Sequence, residues 1–216
     1  MIQDDPEAFI RANTALGSAP MVPEIQLRLA TEITPIWQAT EIWLEENNVD
    51  PPFWAFAWPG GQALARYILD HPEKVAGKRV LDFAAGGGIA SIACALCGAT
   101  VEAAEIDRLA DAAIGVNARL NNVEIALSGK DVVGLACRWD IILCGDVCYE
   151  APMTGYIMPW LTKMAEVAEV WIADPGRAYL PRSRLERFAD YRAATSLELE
   201  DRTQRDVTLY RLLPLG

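Results

Sequence analysis

Val80-Leu81-Asp82-Phe83-Ala84-Ala85-Gly86-Gly87-Gly88 runs from a short apolar stretch into three glycines and then into an apolar-rich segment that ends at Cys97. This order reads as a buried strand, a tight turn and a helix. Small residues in such a turn let a ligand approach the backbone, and the helix start presents unpaired N–H groups. Glycine clusters also serve as plain loops, so the surroundings decide. Gly98 to Ala104 reads as a second strand. It ends at Glu105, about 20 residues on, where an acid can accept both hydroxyls of an adenosine ribose.

Two cofactor classes compete for this site. A dinucleotide turn has the pattern G-x-G-x-x-G, which leaves room for a pyrophosphate. Here it would need glycine at Ala84, Gly86 and Ile89, and only one of the three is glycine. An acid that opens the turn, as in D/E-x-G-x-G-x-G, instead attracts a cationic amine and repels a pyrophosphate. Asp82, Ala84, Gly86 and Gly88 fit that second pattern with one glycine replaced by alanine. That second pattern resembles the one methyltransferases carry, and the resemblance implies S-adenosylmethionine as the cofactor.

The rest of the chain extends the alternation. Ala63, Leu64, Tyr67 and Ile68 mark a helix face before the first strand. Asp107 to Leu120 and Pro152 to Ala168 read as further helices, with Asp107 as the cap of the first. Val123 to Leu127, Asp140 to Cys144 and Glu169 to Ala173 read as strands. Arg182 to Tyr191 reads as a last helix, followed by closing strands at Ala194 to Leu199 and Asp206 to Leu213. Alternation of this kind predicts an α/β fold, a mostly parallel sheet covered on both faces, with the two closing strands antiparallel to each other. Upstream, Asp5-Pro6 predicts a short helix to about Gly17, and Pro23 to Ala30 alternates like a strand. Pro35 to Pro59 holds six aromatic residues, Trp37, Trp43, Phe53, Trp54, Phe56 and Trp58.

Over residues 54–216 the chain resembles the class I, seven-stranded S-adenosylmethionine-dependent methyltransferases, with residues 1–53 as an N-terminal extension packed on that core. The resemblance implies a Rossmann-like seven-stranded sheet with an antiparallel last strand. It also implies that Asp82 and the turn Ala84, Gly86 and Gly88 hold the methionine end, that Glu105 binds the ribose, and that Asp131 meets the adenine amino group. Three further segments narrow it. Trp58 to Tyr67 matches W-P-G-G-Q-x-L-x-R-Y in full, and Asp174-Pro175-Gly176-Arg177 matches D-P-G-R in full. Gly145 to Glu150 matches G-D-x-F-Y-D with Cys148 for Phe and Glu150 for Asp. Together with Pro23-Glu24-Ile25 and Ala39-Thr40-Glu41, they resemble the family 16 protein-lysine methyltransferases, and most the branch acting on the β subunit of electron transfer flavoprotein. By that resemblance Trp58, Gly60 and Asp146 belong to the cofactor site, and Asp146, Tyr149 and Glu150 meet the lysine. Cys148 is expected to open space beside the cofactor.

Blander readings stand beside these roles: Tyr149 as a core-edge aromatic, Glu150 as a helix cap, Trp58 as packing and Arg177 as a surface ion-pair residue. Methylation of a ribosomal protein or of a small amine such as nicotinamide, and a module that binds the cofactor without catalysis, are the alternative functions.

Charge and cysteine usage bound the partners. A net charge of −11 disfavours nucleic acid, because the densest basic stretch, Arg177 to Arg187, is interrupted by apolar residues and Glu186. No apolar run reaches the ~20 residues that span a bilayer. The N-terminus reads neither as a signal peptide nor as a mitochondrial presequence, which predicts a cytoplasmic protein of bacterial type. Separately, the chain is expected to act as a monomer. Cys94, Cys97, Cys137, Cys144 and Cys148 are an odd set in mostly apolar surroundings, which predicts reduced thiols. Cys94 and Cys97 have C-x-x-C spacing, but there is no second such pair and the single histidine, His71, sits before Pro72. No metal site is expected.

Overall fold

The computed structural model describes residues 5–31, 34, 36, 50–195 and 202–215. Seven strands form one sheet. In chain order they are β3 (Arg79–Phe83), β4 (Thr100–Ala104), β5 (Ala126–Leu127), β6 (Ile141–Gly145), β7 (Glu169–Asp174), β8 (Leu185–Ala194) and β9 (Gln204–Leu212). Across the sheet the order is β5-β4-β3-β6-β7-β9-β8. The pairs β3·β4, β3·β6, β4·β5 and β6·β7 are parallel, and β9 runs antiparallel to both β7 and β8. Helices α2 (Pro59–Asp70), α3 (Ile89–Leu96), α4 (Arg108–Leu120) and α5 (Ala151–Met164) connect the strands. Val80, Leu81, Ile141, Ile142 and Leu143 on the central strands are buried, as expected of strands covered on both faces.

Local chemistry explains the helix starts. Asp107 caps α4, its Oδ1 accepting the Leu109 N–H at 2.8 Å. Asp5 does the same for α1 (Pro6–Asn13), accepting from Ala8 N at 2.9 Å, with proline in the first turn. At α5, Glu150 occupies the cap position but its side chain makes no capping bond.

The N-terminal region differs from its reading. The helix ends at Asn13, and Ala15–Ala19 forms a strand, β1, which pairs antiparallel with β2 (Val22–Leu29). This hairpin is pinned to α4 by amide side chains. Asn121 accepts from Gln26 N and donates to Gln26 O, and Asn117 accepts from Arg28 N. Asn117 also donates to the Gly87 carbonyl at 2.8 Å, so one side chain joins the hairpin to the glycine turn.

The expected helix over Arg182 to Tyr191 is overturned: Leu185–Ala194 is strand β8. A register shift between Arg187 and Ala189 marks a bulge, and the extra residue breaks the two-residue alternation. The closing strand expected at Ala194 to Leu199 lies mostly outside the described residues, as do Trp37, Trp43 and Ala39-Thr40-Glu41. Among the described residues no helix is long and apolar enough to cross a membrane.

Candidate functional site

The carboxyl ends of β3, β4 and β6 open onto a cleft with two adjoining lobes. One, of about 410 Å³, is lined by Phe53, Trp58, Gly86, Asp146, Tyr149 and Arg177 among others. The second, of about 370 Å³, reaches Lys130, Asp131, Val132 and Tyr156. Both are lined by Ala84, Glu105, Ile106, Tyr149 and Met153, so these residues form the seam between them. Each volume falls in the range of about 300–1,000 Å³ usual for small-molecule sites.

The turn between β3 and α3 is built from left-handed backbone. Gly86 and Gly88 have φ of +56° and +80°, and Ala84 has φ of +53°. Alanine thus stands where the pattern asks for glycine because the position is left-handed, and the methyl group costs conformational energy there. Ala84→Gly should therefore stabilise the fold by about 0.5–1 kcal/mol, the relief of strain less the entropy that glycine adds to the unfolded chain. Thermal denaturation checks this: an increase of ~2 °C is expected, and an unchanged or lower midpoint would show that the turn tolerates alanine without strain.

Three acids surround the turn, each held differently. Asp82 lies beneath it, nearly inaccessible, and its Oδ2 accepts both the backbone N–H and the hydroxyl of Ser91, at 2.8 and 2.6 Å. It therefore ties β3 to the first turn of α3, and it lines a small pocket of about 50 Å³ beside Trp54 and Gly87. Glu105, at the seam, accepts from Gly86 N at 2.5 Å and from Ile106 N at 3.3 Å. Burial pushes its carboxyl up to about 7, and that of Asp82 up to about 6. Asp131 stands at the far end of the second lobe, exposed, accepting from Val133 N and from the Tyr156 hydroxyl at 2.6 Å.

Asp146 is the junction of the three flanking segments. Its backbone is left-handed, φ +56°. Oδ2 accepts from Gly60 N at 2.5 Å, and Oδ1 pairs with the Arg177 guanidinium at 3.0 Å. Arg177 is itself set by Asp174, whose Oδ1 accepts from the N–H groups of Gly176 and Arg177. Burial pushes the Asp146 carboxyl up to about 6 against the pull of Arg177. Arg177 is thus a buried-side partner of Asp146 rather than a surface ion-pair residue.

Gly60 and Gly88 are buried and reach the cleft only through what they position. Trp58 lines the cleft and donates its indole N–H to Phe53 O at 2.8 Å. Tyr149 and Glu150 are exposed at the mouth, where Tyr149 is 44% accessible. Cys148 does not open space beside the cofactor turn: it is fully buried in the core formed by Ile142, Val147, Ile157 and Leu161, and burial pushes its thiol up to about 12. Cys94 and Cys97 are free thiols. The first is buried, and the second donates weakly to Ile68 O. Sequence reasoning missed Asn117 and Phe53. Neither belongs to a motif, and each is brought to the site by chain far from the glycine turn.

Comparison with known proteins completes the picture. A family model described as ribosomal protein L11 methyltransferase (PrmA) matches residues 62–145. The electron transfer flavoprotein beta subunit lysine methyltransferase of Xenopus laevis is 36% identical, over 97% of this chain and 87% of that protein. The human protein of the same name is 38% identical, over 80% and 68%. The chain belongs to this lysine methyltransferase family. Its fold is also that of solved methyltransferases, including a putative RNA methyltransferase from Pyrococcus horikoshii (TM-score 0.57, 18% identity, 77% of this chain and 91% of that one). Another is the magnesium protoporphyrin IX methyltransferase of Synechocystis with S-adenosylmethionine bound (TM-score 0.53, 19% identity, 70% and 79%).

Proposed function

We propose that this chain transfers a methyl group from S-adenosylmethionine to a lysine of the β subunit of electron transfer flavoprotein. The observation that carries the reading is the kinship with lysine methyltransferases of that name over nearly the whole chain. It is supported by the convergence of the Trp58–Gly60, Asp146 and Asp174–Arg177 segments on one carboxylate. The PrmA model favours a ribosomal protein as the substrate, but its match ends at Gly145, before Asp146, Tyr149, Glu150 and Arg177. It therefore speaks for the cofactor half alone.

The residues present fit the cofactor. Ala84, Gly86 and Gly88 shape the left-handed turn that a methionine tail lies against, Glu105 faces both lobes where a ribose would sit, and Asp131 closes the adenine end. Asp82 acts from beneath by fixing the turn to α3, and Trp58 and Gly60 act through the wall they form and through Asp146. When bound, the cofactor supplies an electrophilic methyl on a sulfonium. The chain's own work is to strip water from the lysine amine, hold it on line and give its proton a way out, tasks met by proximity and desolvation. Tyr149 and Glu150 stand at the mouth to do this. The chain works as a monomer in the cytoplasm on a protein partner rather than a nucleic acid or a membrane, a choice its charge of −11 supports.

The test is incubation of purified enzyme with electron transfer flavoprotein and cofactor labelled in the methyl group. Label is expected on a lysine of the β subunit, and Tyr149→Phe should lower the rate roughly tenfold, ~1.4 kcal/mol in the barrier. An unlabelled β subunit, with cofactor binding intact, rejects the substrate assignment.

Cofactor binding should depend on pH through Glu105. Its folded-state carboxyl titrates at about 7, and a cationic cofactor donating ribose hydroxyls favours the ionised form. Affinity should therefore fall as pH drops below about 7, by up to about tenfold per pH unit for this one proton. Glu105→Gln should lose affinity at pH 8 and flatten the profile between 6 and 8. The same raised carboxyl makes the free protein lose stability as pH rises through about 7, because the folded form holds the proton longer than the unfolded chain. Calorimetric titration and melting curves at pH 5.5 and 8 read both signs, and a pH-independent affinity in the wild type would remove Glu105 from the site.

A further inference from the structure

We propose that Phe53, with Trp58 and Tyr149, forms an aromatic seat for the lysine ammonium and its methylated product. The inference rests on the lysine methyltransferase reading above and assigns a residue outside every motif of that reading. Phe53 belongs to a short 3-10 turn, Phe53–Ala55, just before the segment that begins the methyltransferase core. Its ring stands 6.0 Å from Trp58, at an interplanar angle of 61°, and 6.0 Å from Tyr149, at 50°. All three rings line the same lobe of the cleft. Phe53 is 52% exposed, so its ring is not placed there by core packing. Its backbone is held, since Phe53 O accepts the Trp58 indole N–H and Phe53 N donates to Pro51 O at 2.7 Å.

The acids of the cleft explain why rings are needed. Both oxygens of Asp146 are engaged, one by the Gly60 N–H and one by Arg177. Glu105, assigned above to the cofactor ribose, also accepts from Gly86 N and Ile106 N at the seam. Of the acids near Tyr149, that leaves Glu150, exposed at the rim, to meet an incoming ammonium. Aromatic faces attract a cation by their quadrupole while giving it no water, and the attraction favours methylated ammoniums, which are poorly hydrated. Transfer forms the N–C bond and breaks the S–C bond. Before that, the incoming ammonium gives one proton to water at the rim, freeing the lone pair that attacks. Positive charge then leaves sulfur, now a neutral thioether, and arrives on nitrogen, which keeps its remaining protons and the charge. A ring seat around that nitrogen stabilises the charge as it arrives, which is the contribution that raises turnover.

The probe is the Nε-trimethyllysine amino acid, with its neutral tert-butyl isostere as comparison, titrated by NMR into enzyme saturated with S-adenosylhomocysteine. The cation should bind at least ~5-fold more tightly than the isostere, as expected of a cation over aromatic faces. Phe53→Leu, which keeps apolar bulk at a half-exposed site and so leaves the fold intact, should erase most of that preference. Phe53→Leu should also lower kcat/KM for the protein substrate at saturating cofactor, and Phe53→Tyr should restore it. Equal binding of cation and isostere, or a Phe53→Leu enzyme that keeps the preference, overturns the proposal. If electron transfer flavoprotein is left unmethylated while the cation preference is present and depends on Phe53, the seat stands and the substrate reading falls.

Discussion

Asp146→Asn is expected to lower turnover by at least ~100-fold, about 2.7 kcal/mol in the barrier, and to destabilise the fold. The side chain keeps its shape but has one accepting oxygen where two are in use, for the Gly60 N–H and the Arg177 guanidinium. The new amide must turn its donors toward one of those donors. Breaking a buried ion pair from one side costs roughly 3–5 kcal/mol. Here the cost is about 2–4 kcal/mol, because the Arg177 side chain retains 20% of its surface in water against 9% for Asp146. A midpoint lower by roughly 5–10 °C follows for a chain of this size. Combining Asp146→Asn with Arg177→Ala should then cost less than the sum of the two single changes, since they remove the same interaction. Fully additive costs, or a single variant that melts and turns over as wild type does, would show that Asp146 does not join the three segments.

The core of the fold was legible because it follows simple periods. The apolar runs at Val80–Phe83 and Ile141–Cys144 are buried on both faces, and the glycines between strand and helix left little choice for that turn. Strand β8 was not legible. Leu185, Phe188, Ala189 and Tyr191 recur at helical spacing because the bulge at Arg187–Ala189 inserts one residue into a two-residue alternation. Strand β1 is nearly as opaque, since Leu16, Gly17 and Ser18 are exposed and only Ala19 is buried, leaving no apolar face to read. At the site, residue types were visible but their partners were not. Nothing in the spacing says that Asp82 faces Ser91 rather than the large cleft, or that Asp146 is consumed by Gly60 and Arg177. The second fact depends on chain segments 31 and 86 residues away meeting at one carboxylate. Ala84 shows the reverse case: the departure from glycine was plain in the sequence, and its cost became visible only as a positive φ.

Gly60→Ala is the most damaging single methyl group that can be added near the site. A Cβ there would lie 2.6 Å from Ala173 O, 2.6 Å from Asp146 Oδ2 and 2.8 Å from Asp146 N. Two of those atoms are backbone at the ends of β7 and β6, so neither can swing aside as a flexible side chain would. Helix α2 must instead back away from the sheet, which loosens the Gly60–Asp146 bond and, with it, the aim of Arg177. Overpacking of this kind costs about 1–3 kcal/mol, and the upper end is expected where backbone opposes backbone. Gly155→Ala supplies the opposite sign in the same protein. It lies exposed on α5, a Cβ there meets nothing within 4 Å, and alanine is favoured in a helix interior by about 1 kcal/mol. Melting curves of the two variants should therefore move apart from wild type, Gly60→Ala down and Gly155→Ala up. Turnover, measured well below both midpoints, should fall by at least ~10-fold in Gly60→Ala alone, because its loss is one of geometry at Asp146 and not only of stability. A Gly60→Ala enzyme that melts within ~1 °C of wild type would mean that α2 approaches the sheet less closely than 2.6 Å implies.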